Sequence, residues 1–123
     1  MAGYPGRQGR KPKATTIADS QREQPEQRID RLPAAPEYLS DREKGEWRRV
    51  GRKLLQAGLI GSLDVTILAA YCVAWGRWTE ALEGIRKHGT LVKSPQGFPM
   101  QSPLLAIANK AQEQMHRAMS ELG

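Results

Sequence analysis

Residues 94–115 read SPQGFPMQSPLLAIANKAQEQM, and this stretch determines how the second half of the chain is organised. The SPQG at its start has the composition of a tight turn, and β-prone residues stand on both sides of it, so we predict a hairpin at 90–101. Ser102 then supplies a side-chain cap, and Pro103 follows at the first helical position. The stretch therefore predicts a short β-hairpin that leads directly into a C-terminal helix ending near Leu122.

The predicted C-terminal helix carries one apolar stripe. Its members alternate at steps of four and three residues, the spacing of a heptad seam: Leu104, Ala108, Ala111, Met115, Ala118 and Leu122. The alanines on this seam allow another helix to approach closely. Such a seam packs either within one subunit or between subunits, and the sequence leaves both alternatives open.

A longer helix is predicted before the hairpin, from an N-cap at Ser62 to about His88, with Gly89 ending it. Its main stripe repeats at three and four residues: Leu68, Tyr71, Cys72, Trp75, Trp78, Leu82 and Ile85. The first half of this helix is apolar nearly all round, which in so small a protein predicts contact with a neighbouring subunit. We therefore expect an interface between copies that contains Leu68, Tyr71, Trp75, Trp78, Leu104, Ala108, Ala111 and Met115.

The first predicted helix begins at a capping box, in which Ser40 caps the helix and Glu43 reaches back to it. Gly58 is expected to end this helix as a left-handed C-cap. At 100° per residue, one face is apolar: Trp47, Val50 and Leu54. The opposite arc carries four cations that we predict to contact DNA, with a solvated charged face as the alternative: Arg48, Arg49, Arg52 and Lys53.

Residues 1–36 hold five of the eight prolines and few apolar side chains, a composition typical of disorder. Residues 3–14 contain four cations and no acid: Arg7, Arg10, Lys11 and Lys13. A short basic arm of this kind suits contact with phosphates or a minor groove, and a solubilising tail is the alternative. We predict a flexible basic tail and linker at 1–36 and a helical domain that joins copies at 37–123.

The charge balance favours an anionic partner. Nineteen Lys and Arg stand against 13 Asp and Glu, a net charge of +6, which favours nucleic acid or an anionic membrane surface. No apolar run reaches the length of a membrane span and no signal-peptide core is present, so we expect a cytosolic protein. A folded part of about 85–90 residues buries only about 60–65% of its unfolded surface, which makes oligomerisation an expected source of stability.

The sequence contains no recognisable combination of residues for catalysis. The sequence has no GxxxxGK[ST] phosphate loop and no GxGxxG, and His88 and His116 lack neighbours at metal-ligand spacing. Cys72, the one cysteine, cannot form an intrachain disulfide and lies on an apolar stripe, as a core cysteine does. We predict no catalytic residue, no metal site and no cofactor.

Four segments, taken in order, resemble a known family. They are GRKPK at 9–13, PEYL at 36–39 before a helix with Glu46-Trp47, LAAYCVAWGRW at 68–78, and LVKSPQGFPMQSPLLAIANKA at 91–111. Their order and spacing are similar to the small terminase subunits of tailed bacteriophages, chiefly over residues 36–120.

The resemblance implies a mainly α subunit of three helices that assembles into a ring, with residues 37–123 as the DNA-packaging and oligomerisation domain. It further implies binding of double-stranded viral DNA in the host cytoplasm, and recruitment or regulation of the large terminase subunit, which carries the ATPase and nuclease. The chain itself would not be an enzyme and would not enter a membrane.

Two other interpretations stay open. A small helical transcription regulator would use the first helix, the turn at 58–62 and the second helix as a helix-turn-helix, although the second helix starts too apolar to read bases. In the second interpretation the chain is an oligomeric adaptor that does not bind DNA, and its net positive charge has no role in function. An enzyme is the remote third.

Overall fold

A computed structural model describes residues 28–122 of the chain. They form helices α1 (Asp41–Gln56), α2 (Asp64–His88) and α3 (Pro103–Leu122), with a hairpin of β1 (Leu91–Lys93) and β2 (Pro99–Gln101) before α3. The predicted mainly helical fold, with one hairpin between the last two helices, is confirmed. Most of the predicted tail, at 1–27, lies outside the described residues.

The ends of α1 follow from local sequence. The Ser40 N–H donates to Glu43 Oε1 at 2.9 Å and the Glu43 N–H donates to Ser40 Oγ at 3.2 Å, which confirms the capping box. Gly58 has φ +69° after the last turn, and the Leu59 N–H donates to Leu54 O at 2.9 Å. A side chain at that φ is disfavoured, so the glycine ends the helix as predicted.

The start of α2 differs from the prediction of an N-cap at Ser62, which is wrong. Leu63 occupies the cap position without a side-chain cap bond, and the helix begins at Asp64. The Gly61 N–H donates to Asp64 Oδ2 at 2.9 Å, and the Asp64 N–H donates to Gly61 O at 3.0 Å. The acidic residue of the first turn therefore closes the preceding turn itself, where negative charge is also favoured by the helix dipole.

α2 contacts both other helices, and both run antiparallel to it. On the α1 side, Glu43 lies against Gly76, where a Cβ would overlap its carboxylate, and Glu46 reaches Tyr71 further along. At the start of α3, Leu104 lies against Gly84 near the end of α2. The helices therefore pack around α2, and Gly76 permits the close approach of α1.

The core lies around the first half of α2. It gathers side chains from α1, the following loop and the end of α3: Leu39, Trp47, Ile60, Leu68, Tyr71, Cys72, Met115, Ala118 and Leu122. Five members of the α3 seam are buried in the single subunit: Ala108, Ala111, Met115, Ala118 and Leu122. Of the two alternatives that the sequence left open for the seam, packing within the subunit is the one observed.

Residues 28–36 also lie against the helices. Ile29, Leu32 and Ala35 contact the core, and Trp47 Nε1 donates to Pro33 O at 3.0 Å. Arg28 forms an antiparallel bridge with Gly61. The packed unit therefore begins before residue 37, and part of the predicted linker belongs to the helical domain.

The hairpin projects apolar side chains into solvent. Val92 pairs with Met100 in antiparallel register, and the Ser102 N–H donates to Thr90 O at 2.8 Å at its base. Leu91 is 64% exposed and Phe98 is 70% exposed. Within residues 28–122 the sheet has only these two strands, so each strand has one edge without a strand partner.

Candidate nucleic-acid interface

The outer face of α1 carries the cations that the sequence predicts to contact DNA. Arg48, Arg49, Arg52 and Lys53 all lie on this helix, and all four are exposed. Arg48 and Arg52 are four residues apart and lie one above the other on the helix surface, as do Arg49 and Lys53. The structure therefore brings the four together on one helix, but Arg49 is held in an ion pair within residues 28–122 and the other three are not.

Arg49 is the counter-charge of a buried carboxylate. Its Nε donates to Glu46 Oε1 at 2.9 Å and its Nη2 donates to Glu46 Oε2 at 2.7 Å. The Glu46 side chain is 3% exposed, whereas that of Arg49 is 55% exposed. Tyr71 OH adds a third hydrogen bond to Glu46 Oε2 at 2.6 Å, so this ion pair also joins α1 to α2.

The pKa values of this cluster follow from its contacts. Burial raises the pKa of Glu46, but the hydrogen bonds from Arg49 and Tyr71 outweigh burial and leave that pKa lowered. The hydrogen bond to Glu46 raises the pKa of Arg49. Burial, and then the bond to the Glu46 carboxylate, raise the pKa of Tyr71. At neutral pH the cluster therefore holds a carboxylate, a guanidinium and a neutral phenol.

Arg42 is also engaged inside the subunit. Its Nη1 lies 2.9 Å from Glu83 Oε2 and donates to Thr79 Oγ1 at 3.2 Å, which ties the start of α1 to α2. In residues 28–122, by contrast, Arg48, Arg52 and Lys53 form no ion pair. These three carry the part of the predicted site that is free to meet an external anion.

Lys44 was missed by the sequence reasoning. It is half-buried and forms no ion pair within the described part of the chain. It stands four residues before Arg48, so it continues the row of Arg48 and Arg52 toward the start of α1. That spacing was the signal that could have identified it.

The other predicted DNA contacts, Arg7, Arg10, Lys11 and Lys13, lie outside the described residues. The described chain begins at Arg28, which pairs with Gly61 just after the end of α1. Arg28 therefore lies near the end of α1 that carries Arg52 and Lys53. The 14 residues between Lys13 and Arg28 span at most about 50 Å when extended, a length that includes the whole of α1.

Most of the residues predicted to join copies are covered within the subunit. Leu68, Tyr71, Ala108, Ala111 and Met115 are buried, and Trp75, Trp78 and Leu104 are half-buried. For the five buried side chains, the subunit's own packing already supplies the cover that the sequence assigned to a neighbour. The large apolar side chains that stay exposed lie elsewhere: Tyr38, Leu59, Leu63, Leu91, Phe98, Met100, Ile107 and Met119.

The remaining reactive side chains stay apart. Burial raises the pKa of the Cys72 thiol to about 12, so the thiol is neutral at pH 7. His88 and His116 are exposed. Residues 28–122 contain no group of three or more His, Cys, Asp or Glu that could hold a metal ion. That the chain has no catalytic, metal or cofactor site stays a prediction.

The fold and the charge distribution define a small helical protein with one basic helix face turned outward. Residues 44–123, 80 of the 123, match the family model described as phage terminase, small subunit. The chain belongs to that family, which confirms the resemblance and implies a role in the packaging of phage DNA.

Comparison with curated proteins and with solved structures gave no significant match. None of the helices within residues 28–122 combines the length and the apolar character needed to cross a membrane.

Proposed function

We propose that this chain binds double-stranded phage DNA, assembles into a ring and recruits or regulates the large terminase subunit in the host cytoplasm, without catalysing a reaction itself. Its family membership supports the packaging role. The observation that carries DNA binding is the set of exposed cations on α1, Arg48, Arg52 and Lys53, which form no ion pair within residues 28–122.

The expected strength of this interaction follows from its charges. Three phosphate contacts per subunit give a slope of log affinity against log salt of about −2.7. Affinity then falls about 40-fold between 50 and 200 mM salt for one subunit, and more steeply for an assembly. A basic arm that binds the same DNA would add phosphate contacts and make the salt slope steeper.

The experiment compares two triple variants of the full chain on a fluorescent DNA duplex. Arg48→Ala with Arg52→Ala and Lys53→Ala is expected to weaken binding and flatten the salt slope by about 2.7. The matched control replaces three exposed cations of α2, Arg77, Arg86 and Lys87, with alanine. It removes the same charge, so equal losses in both variants would contradict a specific role for α1.

The arm is tested separately. Replacing Arg10, Lys11 and Lys13 with alanine is expected to weaken binding and reduce the salt slope, because each cation releases counter-ions from the DNA. Unchanged binding at every salt concentration would exclude the arm from the interface while leaving α1 in it.

The geometry of α1 and α2 speaks against a helix-turn-helix regulator. In that motif the second helix crosses the first and presents its start to the major groove. Here the contacts run antiparallel, from Arg42 with Glu83 to Glu46 with Tyr71, and the start of α2 is buried at Asp64. The other alternative, an oligomeric adaptor that does not bind DNA, predicts no affinity for duplex DNA even at low salt.

The hairpin is the surface that best supports assembly of copies. Leu91, Phe98 and Met100 are exposed on it, and Ile107 is exposed near the start of α3. An isolated hairpin is marginal in water, and a strand edge of one copy can pair with that of another. Measurement of the native mass is expected to give a closed oligomer, and Phe98→Ser with Met100→Ser is expected to lower that mass.

Met119→Ser on α3 serves as the matched control for assembly, because Met119 is 52% exposed and lies far along the helix from the hairpin. A wild-type chain that is monomeric in dilute solution would contradict ring assembly. Recruitment of the large subunit is tested by its co-elution with the wild-type assembly, and failure to co-elute would contradict that part of the proposal.

A further inference from the structure

Gly45 lies on the exposed side of α1 without a packing reason. No atom lies within 4 Å of the position that a Cβ would take there. In the described helices the other three glycines each meet a side chain: Gly51 meets Leu32, Gly76 meets Glu43 and Gly84 meets Leu104. Glycine in an exposed helix interior is less favourable than alanine, and no packing contact explains its presence at position 45.

The position of Gly45 relates it to the cations of α1. At 100° per residue, Gly45 lies 60° from Arg48 and 20° from Arg52, so the three share one stripe. Helical side chains lean toward the N-terminus, so the side chain of Arg48 covers the turn that contains Gly45. The stripe therefore combines bare backbone at residue 45 with two arginines on the same side of the helix.

The paired arginines of α1, Arg42 and Arg49, lie 60° and 40° from Gly45, on the opposite side of it from Arg48. Arg42 is held by Glu83 and Thr79, and Arg49 is held by Glu46, so both are directed toward the rest of the subunit. They orient α1 on α2 without adding free charge to its outer surface. On α1 itself the stripe carries Arg48, Arg52 and one exposed acidic side chain, Asp41, at the start of the helix.

We infer that Gly45 is the point at which the sugar-phosphate backbone of duplex DNA touches α1, with Arg48 and Arg52 binding the phosphates that follow along the helix toward its C-terminus. This inference rests on the proposed DNA-binding function. Glycine is used where a ligand approaches the protein backbone closely, and the arginine fork matches phosphate geometry. From Gly45 to Arg52 the helix rises about 10 Å, the axial length of about three nucleotides of one strand.

The test is Gly45→Gln in the full chain, with Gly45→Ala as the smaller step. Both leave the charge unchanged and both favour the helix, so the unfolding temperature is expected to stay equal or rise. Affinity for a DNA duplex at 100 mM salt is expected to fall at least tenfold for Gln and less for Ala. Ala70→Gln, at an exposed site on α2, is the matched control and is expected to bind as the wild type does.

The outcomes are distinguishable. Gly45→Gln binding as tightly as the wild type would overturn the inference and leave the proposed function standing. Loss of affinity with a changed native mass would assign Gly45 to a contact between copies and would also overturn it. A wild-type chain that fails to bind duplex DNA at low salt would instead reject the proposed function itself.

Discussion

The sharpest consequence of the cluster on α1 is that two adjacent arginines have different effects on stability. Arg49→Ala leaves Glu46 buried and without its counter-charge, whereas Arg48→Ala removes a side chain that has no ion pair in residues 28–122. Breaking a fully buried ion pair costs about 3–5 kcal/mol. Because Arg49 is 55% exposed, water replaces part of the interaction, and we expect about 2–3 kcal/mol.

Arg48→Ala is the matched control for the effect of Arg49→Ala on the free energy of unfolding. Arg48→Ala is expected to change the free energy of unfolding by less than about 0.5 kcal/mol, as exposed substitutions usually do. The measurement is urea denaturation of both variants and the wild type at one protein concentration, because assembly would make stability depend on concentration. Equal effects of the two substitutions would refute the assignment of Arg49 as the partner of Glu46.

The pH dependence gives a second, independent check on the same pair. The pKa of Glu46 is lowered in the folded chain, so its contribution to stability is present above the unfolded pKa and is lost as pH falls through the lower folded value. A protonated Glu46 needs no counter-charge. The cost of Arg49→Ala should therefore be largest near pH 7 and shrink below about pH 4. A cost that stays constant down to pH 3 would contradict this origin.

Two further predictions concern α2. Gly76→Ala is expected to destabilise the protein by about 1–3 kcal/mol in urea denaturation, because the new methyl group overlaps the Glu43 carboxylate that closes the capping box. The control is Gly45→Ala, whose methyl group would meet no atom. An equal effect of the two substitutions would contradict close packing at Gly76. The Cys72 thiol, with its pKa raised to about 12 by burial, is expected to resist a thiol reagent at pH 8 in the native protein and to react after unfolding; rapid reaction without unfolding would contradict its burial.

Features set by neighbouring residues were predictable. The capping box needs only Ser40 and Glu43 three positions apart, and Gly58 ends α1 because its φ is positive. The start of α2 was not predictable in the same way, since Ser62 is a helix-capping residue type and yet Leu63 occupies the cap position. The start depends on the turn at Gly61, whose N–H reaches the Asp64 carboxylate.

Features set by distant residues were less accessible. The heptad of α3 correctly identified the side that is buried, but an apolar seam has the same spacing whether it meets α2 or another copy. The basic arc of α1 was visible as well. Which of its members is paired was not, because Arg49 is held by a Glu46 that is buried against Tyr71, 25 positions away. Sequence therefore located the charges, and only the packing separates paired cations from free ones.

This separation explains how one short helix can hold the fold together and still present charge outward. Glu46, on α1 itself, is neutralised by Arg49, and the exposed Glu83 of α2 is paired with Arg42. Arg48, Arg52 and Lys53 form no ion pair within residues 28–122. Stability and DNA affinity should then respond to different residues one position apart: Arg49 chiefly the first and Arg48 chiefly the second.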